Sequence, residues 1–119
     1  MPRILALETT AELGSLACYD GEAGTLDELA MHSPDGFGHI LFDRIAALLE
    51  RAGTTAAAID CFASASGPGS FTGVRIGLTA AKGLAEAAGR PVVAVSNLRT
   101  LAYFGIGPLR ATLIDARRG

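Results

Sequence analysis

The chain has 119 residues, half of them apolar and 18% charged, which suits one domain able to bury a core of its own. Ten basic residues stand against twelve acidic ones, a formal charge of −2, so no field would hold the whole domain on a nucleic acid backbone, and any RNA contact has to be local or lent by a partner. The two cysteines, Cys18 and Cys61, sit singly in apolar runs and not at a metal-binding spacing, so both are expected to be reduced thiols in the core. No stretch approaches the roughly 18 apolar residues of a membrane span, and the N-terminus does not have the shape of a secretory signal. A cytoplasmic protein is expected.

In chain order, "RILALE" is a short buried strand over residues 3–8, closed by the polar turn "TTAELG". Residues 15–20 and 25–31 flank a "DGEAG" turn, and the three runs together predict an antiparallel meander. Ser33, Pro34 and Asp35 then supply helix-start chemistry, and Phe37, Ile40, Leu41, Ile45, Leu48, Leu49 and Ala52 recur at helical spacing until Gly53. Beyond this amphipathic helix, residues 58–66 predict a strand, 70–88 a helix, 91–96 a strand and 97–104 a short helix. A further strand is expected at 111–115. The order β-β-β-α-β-α-β-α plus a terminal strand predicts a mixed five-stranded sheet with helices on it, an α/β domain of the ribonuclease-H-like kind. The expected domain limits are 1–108, with 109–119 opening a second lobe.

The stretch "SGPGSFTGVRIG" (66–77) lies between a strand and a helix, where backbone N–H groups can cradle an anion. The known phosphate patterns do not fit it. The P-loop lysine is missing, and the dinucleotide pattern G-x-G-x-x-G meets Thr72 where its third glycine belongs. The serine-hydrolase elbow fails as well, because Pro68 stands two residues before Ser70. Gly67 and Gly69 therefore read as turn residues and Ser70 as the helix N-cap.

Within the helix, Gly73, Gly77 and Gly83 each cost about 1 kcal/mol relative to alanine, which something must offset. At about 100° per residue, Gly73, Gly77, Ala80, Ala81 and Leu84 form one stripe, and the apolar arc widens to roughly 200° with Val74, Leu78 and Ala85. A face that wide is covered on two sides, by the domain's own sheet and by a second helix of the same chain or a partner subunit, and small residues permit close backbone approach in either case.

The strings "ILALETT", "GPGSFTGVRIGLTAAKGLA", "PVVAVSNLRTLA" and "LIDARRG" resemble the TsaB/YeaZ family of tRNA threonylcarbamoyladenosine biosynthesis, glycoprotease-like members of the ASKHA (actin, sugar kinase, Hsp70-like) superfamily. The resemblance covers essentially the whole chain and implies an N-terminal lobe without the rest of the second one. It further implies a non-catalytic subunit that binds and activates the TsaD transferase subunit, works with a TsaE-type ATPase at adenosine 37, forms homodimers when alone and meets tRNA only indirectly. The stripe Gly73, Gly77, Ala80, Ala81 and Leu84 is the expected partner surface, with Phe37, Leu41, Ile45 and Leu48 of the first helix shared between core and interface.

The first strand-turn departs from the family's "DTS", since this chain has Glu8, Thr9 and Thr10 there. These three, with Asp115, are the candidates for a weak ASKHA-type nucleotide site or ATPase, the alternative function. A nucleotide would sit between two lobes, so no cofactor is expected here, and ATP or ADP would act through the complex. The glycoprotease label finds no support either. The H-x-x-x-H pair with which TsaD-like relatives hold metal is absent, since His32 and His39 lie seven apart. For a nuclease, Glu8, Asp60 and Asp115 would have to converge on magnesium, and Asp60 begins its strand where Glu8 ends one. Neither a metal site nor a catalytic residue is expected.

Overall fold

The structure, a computed structural model, describes residues 2–102. The expected strand at 111–115, Asp115 and the boundary at 108/109 lie outside the described residues.

Strands β1 (Arg3–Glu8), β2 (Leu13–Asp20) and β3 (Thr25–His32) form the expected meander. Helix α1 (Leu41–Ala52), a single 3-10 turn at Ala56–Ala58, β4 (Cys61–Ala65), α2 (Phe71–Ala88), β5 (Val92–Val95) and α3 (Asn97–Ala102) follow. The sheet order is β3-β2-β1-β4-β5. β1 pairs antiparallel with β2 and parallel with β4, which in turn pairs parallel with β5. The C-terminal ends of β1, β4 and β5 therefore emerge at one edge of the sheet.

Alternation decides which face is buried. Leu5 and Leu7 of β1, Leu16 and Cys18 of β2, Met31 of β3 and Phe62 of β4 point to the same side. Leu41, Ile45, Leu48 and Leu49 of α1 and Ala80, Ala81 and Ala85 of α2 cover them. Burial, with Asp27 nearby, pushes the Cys18 thiol up, so the core holds it protonated. Both cysteines are free thiols, but Cys61 is only half-buried and is not a core residue. Among the described residues no helix is long and apolar enough to cross a membrane.

Two expectations change. The first helix starts at Leu41, eight residues after Ser33, and its N-cap Ile40 makes no side-chain bond. Ser33 instead turns its hydroxyl onto the Gly36 carbonyl, and Gly36 takes φ 95°, which only glycine adopts freely. Phe37 accordingly lies in the turn before α1 and not on it, and its carbonyl accepts from the Ile40 and Leu41 N–H groups at 3.1 and 2.9 Å. The strand expected at 58–66 is shorter, because the 3-10 turn takes its first residue. Asp60, just before β4, accepts from the Arg3 N–H at 2.9 Å and lies 3.9 Å from the Arg90 guanidinium.

The meander's second turn, between β2 and β3, is held by Asp20, whose Oδ1 accepts from the Ala23 and Glu22 N–H groups at 3.1 and 3.0 Å while Oδ2 accepts from Arg3 Nε at 3.2 Å. These bonds, that from Ala23 first, hold its carboxyl below the usual aspartate range. A carboxylate with a depressed folded pKa contributes stability above its unfolded pKa, about 4, and loses it as pH falls through the lower folded value. Urea midpoints of the wild type and Asp20→Asn are thus expected to differ at pH 7 and to converge in acid as pH falls through the lowered folded value. A gap that stays constant with pH would contradict this assignment.

Candidate functional site: the glycine loop and the outer helix groove

The loop from Ser66 to Ser70 joins β4 to α2 at the edge where three parallel strands end, the position at which open α/β sheets place their ligands. Gly67 has φ 95° and is followed by a cis peptide to Pro68. Ser70 caps α2, accepting from the Gly73 N–H at 3.2 Å.

The partners of this loop belong to the same chain. The Ser70 N–H donates to the Thr10 carbonyl at 2.7 Å, and the Thr9 hydroxyl donates to the Gly73 carbonyl at 2.7 Å. Asn97, opening α3, donates from Nδ2 to Thr10 Oγ1 at 2.7 Å and to the Pro68 carbonyl at 3.1 Å. Thr10 donates its N–H and its hydroxyl to Glu8 Oε1 at 2.7 and 2.5 Å. The nucleotide candidates Glu8, Thr9 and Thr10 are thus brought together, but as the turn against which α2 packs. Asn97 was not among the expected site residues, and only the fold brings it to Thr10.

The glycines follow from that packing. A Cβ on Gly69 would lie 2.6 Å from the Thr10 carbonyl oxygen, and one on Gly73 2.1 Å from that of Thr9. On Gly77 it would meet the hydroxyls of Thr9 and Ser64 at 2.6 and 2.7 Å. Gly73, Gly77, Ala80 and Ala81 are buried, and Leu84 is half-buried against the core. The stripe expected to meet a partner is therefore closed by the domain's own sheet, because residues this small bring α2 down onto the end of β1. Phe37, Ile45 and Leu48 are likewise buried in the core.

The side of α2 turned outward differs. Between α1 and α2 runs a groove of about 410 Å³ lined by Gly38, Leu41, Phe42, Thr72, Arg75, Ile76, Thr79 and Ala80. Of the expected interface residues, Leu41 and Ala80 reach it. Phe42 on its rim is 58% exposed, and Phe71 at the start of α2 is 75% exposed, with the Arg75 guanidinium 5.4 Å from the centre of its ring. Spacing alone did not single out Phe42 and Phe71. The available signal was two phenylalanines on the polar side of their helices.

Among the described residues no three of His, Cys, Asp and Glu come together as metal ligands. His32 ends β3 and lies 3.5 Å from Glu12, while His39 belongs to the turn before α1.

An antiparallel meander continued by two parallel strands, with the two longest helices on one face, defines a ribonuclease-H-like α/β domain. A family model described as "TsaD: tRNA N6-adenosine threonylcarbamoyltransferase" matches residues 37–119. The Escherichia coli tRNA threonylcarbamoyladenosine biosynthesis protein TsaB is 38% identical over 122 residues, covering 98% of this chain and 52% of TsaB. The Pseudomonas aeruginosa YeaZ structure superposes with a TM-score of 0.77 at 36% identity, over 87% of this chain and 49% of YeaZ. The Methylorubrum populi tRNA N6-adenosine threonylcarbamoyltransferase is 42% identical over 98 residues, covering 81% of this chain and 26% of the enzyme. The chain belongs to the TsaB/YeaZ family. It spans about half the length of TsaB and YeaZ.

Proposed function

We propose that the chain acts in tRNA N6-threonylcarbamoyladenosine synthesis at position 37 as a non-catalytic subunit, docking on a TsaD-type transferase through the outer faces of α1 and α2. The observation that carries this reading is the apolar groove with Phe42 and Phe71 exposed beside it, a pairing of aromatic anchors and concave apolar floor typical of interface hot spots. Sequence supports this choice of occupant. The matching family model carries the transferase's name and spans the whole of α1 and α2, so a transferase of this family presents a corresponding helix pair. Two such pairs can pack ridges into grooves as a four-helix layer.

In this reading the chain contributes shape and holds the transferase in its active arrangement. Glu8 serves the turn at the end of β1, taking both Thr10 bonds on one carboxylate oxygen, and the chain binds no cofactor of its own. A TsaE-type ATPase joins the complex, tRNA is met through the transferase, and a second copy closes the groove when the transferase is absent.

Light scattering tests this directly. The 119-residue chain is expected to form a homodimer alone and a 1:1 complex with the transferase encoded in the same genome. A monomer under both conditions would overturn the proposal.

A further inference from the structure

Three glycines interrupt the body of α2, and the fold accounts for two of them. Gly73 and Gly77 lie where a side chain would strike Thr9 and Ser64. Around Gly83 an added Cβ would meet nothing within 4 Å among the described residues. Among the described residues, nothing in the chain gives this position a reason to forgo alanine, which favours the helix more.

Its place on the helix is informative. At about 100° per residue, Gly83 falls within a strip roughly 60° wide that also holds Thr72, Ile76 and Thr79. Those three line the outer groove, and Gly83 stands one turn beyond Thr79, where the strip leaves the groove and has no side chain on it.

We propose that Gly83 is a specificity-determining residue for docking: a helix of the TsaD-type transferase crosses α2 at this turn and brings its backbone against the Gly83 Cα. This rests on the docking reading above. Helices ordinarily pack with axes 8–10 Å apart, a distance set by the side chains at the crossing, and a residue without one lets the backbones approach more closely. Any side chain here would lift the transferase helix off the strip and weaken contacts along its length. The helix stability forgone at Gly83 is then the cost of the close crossing.

The experiment compares Gly83→Ala, Gly83→Leu and Phe42→Asp with the wild type, in the full chain, for Tm and for affinity to the transferase encoded in the same genome. Gly83→Ala is expected to raise Tm by about 4 °C while weakening binding about 10-fold, and Gly83→Leu to weaken it about 100-fold with the fold retained, a span of losses ordinary for substitutions at a packed interface. A structural role alone would move Tm and affinity in the same direction. If both Gly83 variants bind like the wild type while Phe42→Asp does not, the close crossing is overturned and the docking reading stands. If Phe42→Asp also binds normally, the docking reading fails and the close crossing fails with it.

Discussion

Gly73→Ala is expected to destabilise the domain by about 3 kcal/mol, the upper end of ordinary overpacking, and to lower Tm by about 15 °C. In an exposed helix the same change would stabilise by about 1 kcal/mol, so here both sign and size depend on one contact. The added Cβ would lie 2.1 Å from the Thr9 carbonyl oxygen, and the obstacle is backbone, which cannot rotate away. Nor can the helix lift freely, since Thr9 Oγ1 donates to the Gly73 carbonyl and the Ser70 N–H to the Thr10 carbonyl, each at 2.7 Å. Gly77→Ala should cost less, because its Cβ meets two side-chain hydroxyls. A Tm for Gly73→Ala equal to the wild type's or above it would mean that α2 does not rest on the end of β1. For the same reason a bulky residue at Gly77 is a test of folding and not of partner binding.

Phe42→Asp is expected to weaken association with the transferase about 100-fold, which at 1.4 kcal/mol per tenfold is close to 3 kcal/mol and within the range of interface hot spots. The isolated domain should hardly notice. Phe42 is 58% exposed, and the α1 residues that hold the core are Leu41, Ile45, Leu48 and Leu49. The substitution removes the aromatic anchor from the groove rim, and docking would take the new carboxylate out of water, so lost apolar contact and desolvation both oppose binding. Calorimetric titration gives the affinity, and a melting curve shows whether the fold is intact. Loss of Tm together with affinity would make Phe42 a core residue, and unchanged affinity would move the interface elsewhere on the chain.

Much of the fold was legible because its signals are local. β1 matches the expected strand, α2 begins immediately after its Ser70 cap, and Gly53 and Gly89 end α1 and α2 in the left-handed conformation. The first helix was misjudged at its start because Ser33-Pro34-Asp35 is as good a turn as it is a cap, and Gly36 decides for the turn.

The candidate site was less legible. From the sequence alone it followed that α2 carries glycines at a packing cost, that no known phosphate or metal pattern is present, and that strand, glycine loop and helix succeed one another. Helical spacing places Gly73, Gly77 and Ala81 near one another around the axis but is silent about which way that face turns. Only the tertiary structure decided it, by bringing Thr9 and Thr10, some sixty residues away, under the start of α2. Once that contact uses the small residues, the opposite side of the helix is left to face outward, with Phe42 and Phe71 beside the groove and Gly83 on the same side of α2. Local propensity is written in neighbouring residues, but the direction a helix faces is set by contacts between segments far apart in the chain, and no periodicity records those.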